Sequence, residues 1–226
     1  MPLNQDQIAQ IKNYLSTCVE WYDVRMELVD HFALAIEEKL TANPNLDFKQ
    51  AIIDTHKGFG GTGFKDLLKA KTKAVEKQFY KSAFKYFLGF FKIPRIILTV
   101  LIFLGLTEIM YLFEDKKIFF QILFSFILIV FIKLLIRSMK LKKSKGEKFL
   151  ILNQGLNYSQ MFNSFYIFFN LITDFRSISS FQKDTSNYLQ LAFYTLLTLL
   201  YFSFESVYAH LKQGVKHQYP NLKLAQ

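Results

Sequence analysis

Residues 118–136 form a run of 19 with one charge, Lys133, and residues 186–204 form a second run of 19 with none. Runs of that length match the roughly 20 helical residues that cross a hydrocarbon core about 30 Å thick. A third run, 96–113, has 18 residues interrupted only by Glu108. A fourth, 161–172, is uncharged but short, and reaches spanning length by taking in residues 158–160 and 173–174. Together the four runs predict four spans and exclude a purely soluble globule, a disordered chain and a disulfide scaffold. The single cysteine, Cys18, has no partner for an internal disulfide, which suits a reducing compartment. The start, Met1 to Asp6, has neither a basic nor an apolar stretch, so no cleavable signal peptide is expected.

Orientation follows from where the basic residues fall. Residues 137–148 hold Arg137, Lys140, Lys142, Lys143, Lys145 and Lys148 against Glu147. Lys81, Lys85, Lys92 and Arg95 precede the first span, and Lys212, Lys216 and Lys223 follow the last. Loops rich in Lys and Arg stay in the cytoplasm. All three segments fall on one side if there are four spans with both termini inside. The expected location is the bacterial inner membrane, multi-pass.

Two spans carry polar stripes. Ser159, Asn163, Tyr166, Asn170 and Thr173/Asp174 recur at steps of three and four, and so do Tyr194, Thr198, Tyr201, Glu205 and Tyr208. Each set shares one helix face. Polar groups facing lipid are costly, so the stripes are expected to face protein, most simply each other. They act either as hydrogen-bonded glue or as a path for an ion or small solute. Glu205 is expected near the level of Asn163, with no second buried charge at that depth.

Residues 1–92 read as helices. Asn4 with Gln7 forms a capping box for a first helix, and Ile8, Ile11, Leu15 and Cys18/Val19 form its inner face. Cys18 is expected to be a small buried apolar residue. Asp23 is expected to cap a second helix with Val24, Leu28, Phe32 and Ile36 inward. The turn 43–45 leads to a third helix capped by Asp47, with Gln50 completing a box. Glycines from Gly58 stop it, and a fourth helix from Phe64 is expected to run on to Pro94. Charge shifts along the way: residues 1–66 are net −4, from 6 basic and 10 acidic, and residues 67–92 are net +6, from 7 and 1. Lys73, Lys77, Lys81 and Lys85, interleaved with Phe79, Phe84, Phe87, Phe90 and Phe91, suit a juxtamembrane helix over anionic headgroups, as do Lys142 and Lys143. The positive-inside pattern accounts for the net charge of +10 without nucleic acid.

The residues Tyr22 to His31, then Ile36-Glu37-Glu38, Phe48-Lys49-Gln50-Ala51 and Gly58-Phe59-Gly60, follow an order that resembles the HAAS domain linked to PadR-type regulators. The same order is similar to the helical prefix of some ABC permeases and to multi-span proteins of Bacteroidota. The resemblance covers roughly residues 20–68 and departs from the pattern in the loop Gly60-Gly61-Thr62-Gly63. It implies a cytoplasmic regulatory or interaction module and supplies no catalytic residue.

Other motifs point to little chemistry. Gly58 and Gly63 have phosphate-loop spacing, but Phe64 separates Gly63 from Lys65 and no strand precedes them. Glu27, Asp30 and His31 share a helix face, with His56 elsewhere, and His210 and His217 lie seven apart. A surface between helices explains the first set better than zinc does. No metal, cofactor or catalytic constellation is expected. The expected architecture is therefore all-α: a cytoplasmic N-terminal helical domain, residues 1–68, then a basic juxtamembrane helix, 69–95, a four-helix transmembrane bundle, 96–210, and a cytoplasmic tail, 211–226. The expected role is non-catalytic, an interaction or regulatory component engaging a protein partner or a second copy through Glu27, Asp30, His31, Glu37 and Glu38. The alternatives are a small transporter or transporter accessory subunit, and an enzyme acting on lipid.

Overall fold

The computed structural model describes residues 2–59, 63–143, 146–157, 183–222 and 224. Apart from two single-residue bridges these are helices and connecting turns: α1 Gln5–Cys18, α2 Tyr22–Ala42, α3 Phe48–Lys57, α4 Phe64–Gly89, α5 Arg95–Tyr111, α6 Lys116–Lys143, α7 Leu150–Leu156 and α8 Lys183–Gln218. They form two compact units. The first comprises Met1–Glu76, Lys145–Asn153 and Asn221–Ala225, and the second comprises Lys77–Ser144, Gln154–Pro220 and Gln226.

In the first unit, α1 starts on a complete capping box: the Asn4 side chain accepts from the Gln7 N–H at 2.8 Å, and the Gln7 side chain accepts from the Asn4 N–H at 2.9 Å. The helix ends at Cys18. Val19 turns into the core, 1 % exposed, and leaves Cys18 at the surface, so the expectation of a buried cysteine is corrected. For α3, Asp47 accepts from the N–H groups of Lys49 and Gln50, but the Gln50 side chain reaches forward to Asp54 at 2.9 Å and the box is only half made. The core takes Ile11 and Leu15 from α1, Val24, Leu28, Phe32 and Ile36 from α2, Ala51 and Ile52 from α3, and Phe64 from α4. These sit at helical steps of three and four, as an amphipathic face requires. Phe32 is fully buried and meets the rings of Phe59 and Phe64 at 5.4 and 5.7 Å. Burying such a side chain contributes about 1.5–3 kcal/mol. Gly63 has φ 54°, and a Cβ there would lie 3.1 Å from His56 Nε2, so both backbone and space favour glycine.

The unit extends beyond residues 1–68. Leu150, from a segment far along the chain, is 1 % exposed within the same core.

In the second unit, α4 does not run to Pro94. It stops at Gly89, and the Thr99 hydroxyl of α5 donates to the Phe90 carbonyl at 3.1 Å, holding the turn between the two helices. One cluster joins Phe79 and Ala83 of α4, Leu134 of α6, and Phe204 and Val207 of α8, with the Phe79 and Phe204 rings stacked at 5.7 Å. A second joins Met110 of α5, Phe119 and Phe120 of α6, and Leu191 and Tyr194 of α8. Gly155 of α7 admits no side chain, because a Cβ there would lie 2.8 Å from Tyr208 Cδ2 and 3.3 Å from Phe79 Cε2.

Among the described residues two helices, α6 and α8, are long and apolar enough to span a membrane. Within the protein 18 % of the apolar stretch of α6 is buried, against 50 % for α8, so α6 turns most of its aliphatic surface outward. The first expected span is α5, a helix of 17 residues or about 25 Å, which exposes Ile97, Leu98, Leu101 and Leu104. The remaining expected span, 161–172, lies outside the described residues.

Candidate functional site

Three places carry the polar chemistry. The first is the α2 surface singled out for partner binding. Glu27 is engaged within the first unit, where Lys71 Nζ donates to both of its carboxylate oxygens. Glu37 accepts the Leu3 N–H at 2.9 Å and so ties down the chain ahead of α1. Asp30, His31 and Glu38 are exposed and make no hydrogen bond or ion pair among the described residues. Leu34, 61 % exposed, lies between them on the same helix surface. His56 is not near this set. Its Nδ1 shares a short hydrogen bond with the Tyr14 hydroxyl, and its ring stacks on Phe64 at 4.5 Å. Burial raises the Tyr14 phenol above its usual value, and the Cys18 thiol nearby adds to the shift. Among the described residues no three His, Cys, Asp or Glu side chains gather where they could hold a metal ion.

The second place was not foreseen. Asp23 does not cap its own helix, which starts from Trp21 without a side-chain cap. Its carboxylate accepts the Val24 N–H at 3.1 Å within the first turn of α2, and also the N–H groups of Leu150 at 3.0 Å and Ile151 at 3.3 Å, the first two residues of α7. The N–H groups of a helix's first turn have no partner in the helix, and a carboxylate there also meets the positive end of the dipole. Around this cap the segment is held on both flanks. Lys148 Nζ donates to Glu20 at 2.6 Å, Arg25 pairs with Glu147, and the Tyr22 N–H donates to the Lys148 carbonyl at 2.7 Å. Phe149 meets Tyr22 at 5.3 Å between ring centres, and Leu150 enters the core. The residues just before α2 and its first turn thus form a seat for 147–151. The one advance signal was sign alternation: Glu20, Asp23 and Arg25 face Lys148, a helix N-terminus and Glu147.

The third place is the stripe on α8. Tyr194 is buried and stacks on Phe120 of α6 at 6.0 Å. Thr198 donates back to the Tyr194 carbonyl at 2.9 Å. Glu205 takes Arg137 of α6 at 3.2 and 3.3 Å, and the Arg137 guanidinium lies 4.1 Å from the Tyr208 ring centre. No second buried charge was expected at this depth; Arg137 is only part-buried, yet it pairs with Glu205 as well as being the first cation of the basic stretch 137–148. Tyr201 is half-buried between them in sequence. The polar run also starts earlier than expected, with Asn187 and Gln190 buried two turns and one turn before Tyr194. Asn163, Tyr166 and Asn170 lie outside the described residues, as do the side chains of Lys142 and Lys143. Lys73, Lys77, Lys81 and Lys85 are all exposed along α4.

Comparison of the chain with protein-family profiles, with curated proteins and with solved structures finds no match.

Proposed function

We propose that the chain is a multi-pass protein of the bacterial inner membrane and acts without catalysis, as an interaction or regulatory component through its helical N-terminal unit. The observation that supports this reading most is the seat for residues 147–151. A soluble helical module takes into its core the segment that directly follows α6, an apolar helix suited to lipid. The N-terminal helices, this segment and residues 221–225 belong to one unit, which supports the reading that all three share one side of the membrane. That side is the cytoplasm by the positive-inside pattern. The face left for a partner is Asp30, His31, Leu34 and Glu38, and the resemblance to HAAS and permease-prefix domains points the same way.

Cys18 tests the topology directly, because it is exposed and the sequence has no other cysteine. A membrane-impermeant maleimide labels it only after permeabilisation, and labelling in intact cells would sink the reading. The interaction role is tested by Asp30→Lys with Glu38→Lys. Reversing both charges removes a partner that co-purifies in mild detergent and leaves the melting temperature unchanged. Equal recovery of that partner with wild type and variant refutes the assigned face.

A second reading, a small transporter or its accessory subunit, is favoured by the buried run Asn187, Gln190 and Tyr194 leading toward Glu205. It requires Glu205→Gln to abolish flux in a variant that still folds.

A further inference from the structure

From Lys77 to Thr107 the chain has five basic residues, Lys77, Lys81, Lys85, Lys92 and Arg95, and no acidic one. All five are exposed, and none forms an ion pair among the described residues. Lys77, Lys81 and Lys85 recur every four residues, so they rise along neighbouring turns of α4. Like charges at that spacing repel in an isolated helix. An unneutralised row of this kind calls for an anion from outside the chain.

Packing within the second unit fixes the depth of the row. Phe79 and Ala83, interleaved with the lysines, are buried against Leu134 of α6 and Phe204 and Val207 of α8. Leu134 stands two residues before the end of one uncharged or nearly uncharged run, and Phe204 is the last residue of the other. Beyond them come Arg137 and Glu205. The buried face of α4 therefore sits where the apolar lengths of both helices give way to charge, the level of lipid headgroups. Among the basic residues and beyond Lys85, Phe84 is 58 % exposed, Leu88 45 %, Phe91 41 % and Ile93 86 %. Large apolar side chains beside an unpaired cation row fit an interface in which rings enter the acyl boundary and ammonium groups stay with phosphates. They fit a nucleic acid poorly, since Leu88 and Ile93 have no ring to stack on bases.

We propose that the C-terminal half of α4 and the turn into α5 form a seat for anionic phospholipid headgroups, with Lys77, Lys81, Lys85 and Arg95 as the phosphate-facing cations. This rests on the reading that α6 and α8 cross a bilayer.

The test uses the full chain in nanodiscs of phosphatidylcholine alone or mixed with phosphatidylglycerol, with lysine acetylation read residue by residue by mass spectrometry. In the anionic discs Lys77, Lys81 and Lys85 are modified more slowly by a factor of about three, the Boltzmann factor for one charge at a surface potential of about −30 mV. Lys12 and Lys49, exposed in the first unit, are unaffected, and high salt removes the difference. The triple variant K77Q/K81Q/K85Q retains less phosphatidylglycerol on purification while melting like wild type. Equal modification in both discs overturns the seat while leaving the membrane reading intact. Protection by added RNA but not by phosphatidylglycerol overturns it in favour of a nucleic acid. A chain that stays out of discs altogether and is released from membranes by alkaline carbonate overturns the reading beneath it.

Discussion

Leu150→Ala tests the seat for residues 147–151 where it meets the core. Leu150 is 1 % exposed, so truncation removes buried methyl groups and leaves a cavity among the residues around it. Large-to-small changes of this kind cost about 2–5 kcal/mol. The seat is built by one short segment that has room to settle, which places the expected cost at roughly 3 kcal/mol. For a unit of this size each kcal/mol lowers the melting temperature by about 4–8 °C, so the expected fall is about 12–24 °C. The sequence holds a single tryptophan, Trp21, and it bridges to Lys148 at the seat itself. Its fluorescence therefore reports the first unit without a label. Full-length protein in detergent is melted while Trp21 emission is followed, with Leu34→Ala as control. Leu34 is 61 % exposed, so its truncation moves the transition by no more than about 0.5 kcal/mol. If Leu150→Ala melts with Leu34→Ala, residues 147–151 do not belong to the core and the seat is wrong.

Asp23→Ala strips the carboxylate from the first two N–H groups of α7, and loss of such a cap costs about 1 kcal/mol in the same melt; no change there means the cap carries no stability. A fragment of residues 1–76 shows helical circular dichroism, and fusing residues 146–153 to it through a Gly/Ser linker raises its melting temperature; an unchanged transition contradicts the seat. Thr55 is buried with its hydroxyl unbonded, so Thr55→Val is neutral or stabilising by up to about 1 kcal/mol, and a clear loss of stability refutes the assignment. In a double-mutant cycle Glu205→Gln and Arg137→Gln couple by about 1 kcal/mol, and strict additivity means the ion pair does not form in the protein. Gly155→Ala costs about 1–3 kcal/mol by forcing Tyr208 aside, and Tyr208→Leu in the same chain recovers part of it; an additive double variant argues against the close approach.

Periodicity carried much of the fold. The α1 cap at Asn4, the start of α3 at Asp47 and the inward residues of α1 and α2 follow from spacing and local hydrogen bonds, which act within four residues. The apolar lengths of α6 and α8 follow from composition alone. The misread residues were those whose partners lie far along the chain. Asp23 was expected at the cap position of α2; it lies two residues past the cap, keeps one first-turn bond to the Val24 N–H, and only its contact with residues 127 and 128 positions later shows that it also caps α7. Arg137 fits a loop-charge pattern equally well whether it is solvated or paired with a residue 68 positions away. Cys18 and Val19 share a place in the helical period, and the extended backbone at Val19 decided which one turned inward. Of the residues expected to meet a partner, Asp30, His31 and Glu38 are exposed, while Glu27 and Glu37 are taken up by Lys71 and by the Leu3 N–H.

The place of Leu150 in the first core also has a consequence in time. Leu150 lies seventy-four positions after Glu76, and the stretch between them includes α5 and α6. At about 5–20 residues per second, a ribosome takes roughly 4–15 s to cover that distance. During those seconds the N-terminal helices have left the ribosome while the site for Leu150 stands open, its apolar walls available to a chaperone or to a neighbouring nascent chain. The unit closes only after α6 has been made, so its completion in the cell reports that the preceding hydrophobic helices have already been synthesised.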